Sequence, residues 1–301
     1  MAITNANGLQ IEYDTFGKPG EPALLLIAGL ANQLIHWDEA LCQQLARRGH
    51  YVIRFDNRDA GLSTKLAEAG IPDIGQIMEA RRKGEEIKPP YTIEDMANDA
   101  VGLLDALGIE AAHICGMSMG GMIAQTIALN HRQRVLSLIS IYSHTGNPAL
   151  PEPKPEALEI LFTRPPEERQ ANIEYALKVF RTLSGSGFPL DEEWHRNIAA
   201  QAYDRAFYPE GVARQLAAVL TQKNRKSELG SVCVPTLVIH GADDLLVPVE
   251  GGKDTAAAVP EAELIIIDGM GHDLPHAGAW PQIIDAIVGH THKAASQKSR
   301  S

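Results

Sequence analysis

The amino-acid sequence predicts an α/β protein with a mostly parallel, doubly wound sheet and a helical segment inserted near its middle. Three observations predict this class. Apolar runs of strand length alternate with stretches of helical periodicity through the first 143 residues. Residues 155–226 carry helical patterns alone. An apolar strand pattern then returns at 234–244, and a helix and another strand follow it.

The first part of the chain supplies the elements of the sheet. ALLLIAGL at 23–30 is a continuous apolar run, which is typical of a strand buried on both faces of a parallel sheet. YTIEDMANDAVGLLDALG at 91–108 begins with Thr92 and Asp95 in a spacing that resembles a capping box, so we expect a helix there. The same reasoning predicts strands at 9–17, 50–59 and 134–143, a helix at 37–49, and a strand, turn and helix within 111–125.

The alternation stops at Gly146. GNPALPEPKPE is too rich in proline for regular structure, and only helical patterns follow it until the next strand. An all-helical block inside an α/β alternation is an insertion. We therefore expect an α/β core of residues 1–146 and 231–301 and a helical cap, or lid, of residues 147–230.

Two other segments lack a regular pattern. Residues 65–90 are too long for a simple turn and form either a loop that borders the functional site or a disordered surface loop. The small and polar residues 291–301 are expected to be disordered.

Composition narrows the location and the partners. Of the 301 residues, 45% are hydrophobic and 22% are charged, as in ordinary globular chains. The formal net charge of −11 argues against nucleic acid or an anionic membrane as partner, since both attract a basic face. The sequence shows neither an export signal nor an apolar run long enough to span a membrane. We interpret Cys42, Cys115 and Cys233 as buried free thiols in a reducing compartment, and expect a cytoplasmic protein.

The strongest motif is GMSMG at 116–120. It places Ser118 after a buried strand and before a helix, flanked two residues away by Gly116 and Gly120. This is the context of a nucleophile elbow, in which a sharp turn holds a serine hydroxyl above the sheet edge. The alternative is a glycine-rich connection whose serine is satisfied locally.

A serine needs a base and an orienting acid to become a nucleophile. Asp244 follows the strand TLVIHG at a set offset from Gly241 and Pro248, although the neighbouring Asp243 is an alternative. His272 follows the next strand, where a histidine is either catalytic or solvated. The chain order serine, aspartate, histidine favours a catalytic triad.

Other residues are candidates for binding. The backbone N–H groups of Met119 and Leu30 are the candidate oxyanion hole, since an acyl-transfer intermediate needs two such donors. His36 and Trp37 follow the Leu30 loop and are candidate pocket residues, with Trp37 equally interpretable as core. Pro275 separates His272 from His276, so we expect no metal site. Since the glycine-rich loops lack phosphate-binding spacing, we expect no cofactor.

Taken together, these motifs resemble the α/β-hydrolase superfamily. FDNRDAGLS, GMSMG and GMGHDLP look like the branch that holds aclacinomycin methylesterase and related bacterial carboxylesterases. The resemblance implies an eight-stranded, mostly parallel sheet, a helical cap and hydrolysis through an acyl-serine. The chain departs from the usual pattern at Ala28, where histidine is common, and at Asp59, where glycine is common. The first departure concerns how the oxyanion loop is braced.

The predicted function is hydrolysis of small to medium apolar carboxylic esters, as acyl or methyl esters, by a serine esterase. The small-molecule ester is the predicted partner, and the protein is either a monomer or a homodimer. One alternative is another serine-triad reaction on the same fold: carbon–carbon bond hydrolysis, thioester hydrolysis or acyl transfer. The other is a non-catalytic, ligand-binding member of the fold.

Overall fold

The computed structural model describes residues 1–298, in which a single sheet is flanked by helices. The strands are β1 (Ala2–Ala6), β2 (Leu9–Phe16), β3 (Ala23–Ile27), β4 (Tyr51–Phe55), β5 (Ala112–Met117), β6 (Val135–Ile141), β7 (Thr236–Gly241) and β8 (Glu263–Ile267). The helices are α1 (Glu39–Arg47), α2 (Ile74–Lys83), α3 (Ile93–Ala106), α4 (Met119–Asn130), α5 (Pro155–Phe162), α6 (Arg169–Leu183), α7 (Glu192–Arg205), α8 (Pro209–Leu220), α9 (Glu250–Ala258) and α10 (Trp280–Lys298).

The sheet has eight strands in the order β1-β2-β4-β3-β5-β6-β7-β8. Strand β2 runs antiparallel to β1 and β4, and all other neighbours are parallel. The predicted fold class, a mostly parallel eight-stranded sheet, is therefore confirmed.

Both faces of the sheet are covered, which explains the continuous apolar runs. Every residue of β3 and β5 is buried. Successive side chains of a strand point to opposite faces. Accordingly, Ile114 packs in the core formed with α3 and α4, whereas Cys115 packs in the core formed with α1 and α10.

Four helices, α5 to α8, follow β6 and precede β7 along the chain, where the sequence predicts the helical insertion. We call them the inserted helices. They lie above the carboxyl edge of the parallel strands, the edge at which α/β sheets bind ligands.

Residues 65–90 were expected to be a loop without regular structure, and this was wrong in part. Helix α2 lies within them, with the Asp73 side chain accepting the Gln76 N–H at its start and Gly84 in the left-handed region at its end. Only Ile77 and Ala80 of this helix are buried. With so few buried residues, the apolar periodicity that predicts helices is weak here.

Two smaller expectations also failed. Residues 291–298 belong to α10, not to a disordered tail, because Thr291 and Ala294 continue its buried face; residues 299–301 lie outside the described chain. Cys42 and Cys115 are buried as expected, but Cys233 is exposed because it lies in the connection before β7. Between residues 1 and 298, no helix is long and apolar enough to cross a membrane.

Buried histidines at the amino edge of the sheet make stability depend on pH. His113 is 1% exposed and bonds Ser137 Oγ at 2.8 Å. Burial, then the neighbouring histidines, lower its pKa to about 3. The unfolded chain therefore binds the proton first, so stability is complete above about pH 6.5 and falls as the pH drops towards 3.

We expect the free energy of unfolding to fall between pH 7 and pH 5 by about 2 kcal/mol from His113 alone. Urea denaturation at the two pH values measures it. His113→Asn should lose this share of the pH dependence, whereas His276→Asn, at a partly exposed histidine, should keep it. An unchanged pH dependence in His113→Asn would contradict the assignment.

Candidate active site

The turn between β5 and α4 holds Ser118 in a strained conformation, with φ 54° and ψ −120°. Small neighbours are required on both sides. A Cβ atom on Gly116 would overlap the carbonyl group of Gly120, and one on Gly120 would overlap the carbonyl oxygen of Ile27. The glycines of the motif thus allow the close approach that the turn needs.

Three side chains at strand ends form a hydrogen-bonded chain. Ser118 follows β5, Asp244 follows β7 and His272 follows β8, so all lie at the carboxyl edge of the sheet. Ser118 Oγ lies 2.9 Å from His272 Nε2, and His272 Nδ1 lies 2.7 Å from Asp244 Oδ2. With the Nδ1 proton directed at the carboxylate, Nε2 is free to accept the hydroxyl proton.

The carboxylate of Asp244 is buried and fully engaged. Its Oδ1 accepts the N–H groups of Leu246 at 2.9 Å and Val247 at 2.8 Å. Burial, the largest influence, acts to raise the pKa of Asp244, but His272 and His240 outweigh it and lower the pKa to about 2. The group therefore stays ionised at neutral pH and accepts the Nδ1–H of His272.

Asp243, the alternative acid, points elsewhere. Its Oδ2 accepts the backbone N–H of Ser186 at 3.2 Å and the hydroxyl of Ser186 at 2.8 Å. The sequence did not single out His240, whose Nε2 donates to Val247 O at 2.8 Å and lies 3.5 Å from Asp244 Oδ2. Its position inside an apolar strand gave no signal for this contact.

The loop that carries Leu30 lies against the serine. A Cβ atom on Gly29 would stand 3.3 Å from Ser118 Cβ. Within residues 1–298, the N–H groups of Leu30 and Met119 donate to no other residue. Both residues line the cavity above Ser118. Two such free donors near the Ser118 hydroxyl are what an oxyanion would require.

The usual histidine before Gly29 is replaced by Ala28, and other side chains brace the loop. Asn57 Nδ2 donates to Ala28 O at 3.1 Å. Gln215 of α8 accepts the Ala31 N–H at 3.1 Å. The sequence did not single out Gln215, because nothing in a helical pattern shows which loop a buried polar side chain meets.

We expect Gln215→Met to lower kcat about 10- to 100-fold with little change in KM, because a displaced loop misplaces an oxyanion donor. Steady-state kinetics on a p-nitrophenyl ester measures both constants. Gln44→Met, on the exposed face of α1, is the matched control. A rise in KM with kcat unchanged would show that Gln215 serves binding instead.

Asp59, the second position at which the chain departs from the usual family pattern, also contacts the inserted helices. Asp59 has φ 66°, a left-handed conformation that aspartate tolerates better than most residues. Its carboxylate accepts two hydrogen bonds from Arg214 of α8, at 2.8 and 2.9 Å, and both side chains are buried. A glycine at this position could not form this pair.

A cavity of about 490 Å³ lies above Ser118 and His272, between the sheet edge and the inserted helices. Helix α2 contributes Met78 and Arg81 to its wall, so residues 65–90 border the site. Most of the other lining side chains are apolar: Leu150, Leu158, Leu161, Val179, Val212, Val219, Leu246 and Val247 among them.

The two predicted pocket residues differ. His36 lines the cavity. Trp37 does not: it is fully buried in the core with α1 and α10, because the chain turns into α1 at this point. No group of three or more histidine, cysteine or acidic side chains that could hold a metal occurs in the described part of the chain.

Comparison with known proteins agrees with this architecture. The alpha/beta hydrolase fold family matches residues 22–279. Rhodomycin D methylesterase DnrP of Streptomyces peucetius is 29% identical over 97% of this chain and 98% of its own length. A 2-hydroxy-6-oxononadienedioate/2-hydroxy-6-oxononatrienedioate hydrolase of Cupriavidus pinatubonensis is 33% identical, over 63% of this chain and 66% of its own length.

The structure is similar to that of a thermophilic esterase from Thermogutta terrifontis, with a TM-score of 0.71 and 23% identity, over 98% of this chain and 99% of the esterase. This likeness concerns the fold. The chain belongs to the alpha/beta hydrolase fold family, as its motifs predicted.

Proposed function

We propose that the protein is a serine esterase that hydrolyses small to medium apolar carboxylic esters, acyl or methyl, through an acyl-serine intermediate. One observation carries the proposal: Ser118, His272 and Asp244 form a continuous hydrogen-bonded chain with the serine on a strained turn. The methylesterase names of two relatives, each 29% identical to this chain, support ester cleavage.

In this mechanism Ser118 Oγ attacks the ester carbonyl while His272 Nε2 takes its proton. Asp244 holds the tautomer of the imidazole and stabilises its charged form. The N–H groups of Leu30 and Met119 stabilise the oxyanion. His272 then protonates the leaving alcohol, and afterwards it removes a proton from the water that attacks the acyl-serine.

The substrate range follows from the cavity. We assign residues 147–230 to a cap over the α/β core of 1–146 and 231–301, because the inserted helices form much of the cavity wall. The mostly apolar lining favours apolar ester groups, and His36 contributes a polar group to it. No cofactor takes part in this mechanism.

We propose that the protein works in the cytoplasm, as a monomer or a homodimer. Its partner is a small-molecule ester, and it binds neither nucleic acid nor membrane. The net charge of −11 and the three free cysteines support this.

A second candidate is carbon–carbon bond hydrolysis on the same triad. The relative from Cupriavidus pinatubonensis, a 2-hydroxy-6-oxononadienedioate/2-hydroxy-6-oxononatrienedioate hydrolase, favours it, but it matches less than two thirds of this chain. The methylesterases match nearly the whole chain, inserted helices included. We therefore place ester hydrolysis first.

The deciding experiment measures kcat/KM for p-nitrophenyl esters from acetate to dodecanoate, methyl esters of the same acids and a vinylogous diketone. Labelling of Ser118 by a fluorophosphonate counts competent sites. Faster turnover of esters supports the proposal. Labelled enzyme that cleaves only the diketone supports the second candidate, and absence of labelling contradicts both.

A further inference from the structure

A histidine outside the triad also faces the cavity. His144 follows β6, between the strand ends that carry Ser118 and Asp244, and it lines the cavity with Ser118 and His272. Neither the motifs nor the proposed mechanism gives it a role. The side chain of His144 packs close to Gly251 at the start of α9. A Cβ atom placed on Gly251 would lie only 3.0 Å from His144 Cβ.

The backbone fixes the tautomer of this ring. The N–H of Gly146 donates to His144 Nδ1 at 3.0 Å, so Nδ1 is an acceptor and the ring proton lies on Nε2. No residue within 1–298 accepts that proton, and Nε2 is not among the buried atoms that lack a partner. Nε2 is therefore accessible to a ligand, and the space that it faces is the cavity that the His144 side chain lines.

The surroundings keep the ring neutral. Burial first, then the positive charge of Arg225, lower the pKa of His144 to about 4, and Arg81 and His272 act in the same direction. Arg225 is itself held in place, donating to His144 O at 3.1 Å and Gln222 Oε1 at 3.0 Å. At neutral pH His144 thus presents a fixed, uncharged donor in a mostly apolar part of the cavity wall.

Such a donor discriminates between ligands. A ligand that covers Nε2–H without accepting from it leaves a polar group desolvated and unpaired, whereas a ligand with an acceptor in reach replaces the lost water. Since few polar groups orient a ligand in an apolar pocket, a single fixed donor acts on specificity.

We propose that His144 forms an acceptor subsite, and that the preferred substrate is an ester carrying a second oxygen acceptor, a carbonyl or carboxylate oxygen, apart from the scissile ester group. This deepens the proposed ester hydrolysis and rests on it. Arg81 lines the same cavity and forms no ion pair within residues 1–298, so it distinguishes the two acceptors: a carboxylate gains far more from its charge than a neutral carbonyl does.

The test uses ester pairs that differ by one acceptor. Methyl keto-octanoates with the ketone at successive carbons, and the monomethyl ester of suberic acid, are compared with methyl octanoate. Keto-hexyl acetates are compared with hexyl acetate, so that acceptors on both sides of the ester are sampled. The readout is the ratio of kcat/KM within each pair, per site labelled by fluorophosphonate.

We expect at least one acceptor-bearing ester to exceed its parent about tenfold in kcat/KM. The ratio should fall close to one in His144→Phe, which keeps a ring without a donor, and recover in part in His144→Gln. If Arg81→Gln lowers the ratio for the suberate ester, the acceptor is a carboxylate; if only keto esters are preferred, it is a carbonyl. A ratio that persists in His144→Phe, or no preference in the wild type, overturns the subsite.

Binding separates this inference from the catalytic one. Calorimetry on Ser118→Ala compares the same pairs without turnover. Tighter binding of the acceptor-bearing ester that disappears in Ser118→Ala/His144→Phe supports the subsite even if the wild type proves to cleave another bond. Equal binding within every pair contradicts it.

Discussion

Ser118→Ala is expected to lower kcat for ester hydrolysis about 10⁴- to 10⁶-fold. The reason is that Ser118 Oγ is the proposed nucleophile, the atom to which the acyl group is transferred. Without it, His272 Nε2 loses the hydroxyl it faces at 2.9 Å, and water must attack without a fixed position. Initial rates on p-nitrophenyl butyrate, together with the burst of p-nitrophenol in the first turnover, measure the loss.

The matched control is Ser231→Ala, which removes an exposed hydroxyl that bonds within its own turn. It should retain the burst and the fluorophosphonate label. A Ser118→Ala enzyme that still shows a stoichiometric burst would falsify the acyl-serine mechanism, because another nucleophile would then carry the acyl group.

Asp244→Asn is expected to lower kcat about 10⁴-fold while the fold is kept. Asp244 Oδ1 already accepts two backbone N–H groups, so the new amide NH₂ must take the place of Oδ2. It then faces His272 Nδ1 as a donor, which makes Nδ1 the acceptor and moves the ring proton to Nε2. A ring protonated at Nε2 cannot accept the proton of Ser118.

Asp243→Asn is the matched control, since its carboxylate contacts Ser186 and not the triad. Its kcat should change little. Circular dichroism and thermal unfolding of both variants separate loss of the tautomer from loss of the fold. If Asp243→Asn were the more damaged enzyme, the acid of the triad would have been assigned to the wrong neighbour.

The features that the sequence predicted well are the turn at Ser118, which local steric contacts determine, and the residues that directly follow strands. Gly116 and Gly120 are required by backbone contacts within a few residues, so their spacing reveals the turn. Ser118, Asp244 and His272 each follow an apolar strand, and parallel strands bring such positions to one edge.

The parts that it did not predict depend on contacts between distant segments. Helix α2 has too little buried surface to show periodicity, and the sequence left Trp37 open between pocket and core, a choice that the packing of α1 decides. Gln215 and His144 are ordinary residues of a helix and a loop until the fold places one against Ala31 and the other in the cavity. Their places depend on contacts between segments far apart in the chain, which local patterns do not contain.

The buried ion pair of Asp59 and Arg214 limits how the inserted helices can be exchanged between family members. Exchanging residues 147–230 for the segment of another family member would remove Arg214, Gln215 and Arg205 together. Asp59 would then be left as a buried carboxylate without its cation, and Asp56 would lose Arg205, whose Nη2 lies 2.6 Å from it. A grafted segment must therefore carry cations at the places of Arg205 and Arg214, or positions 56 and 59 must change with it, so the segment cannot be exchanged independently of the core.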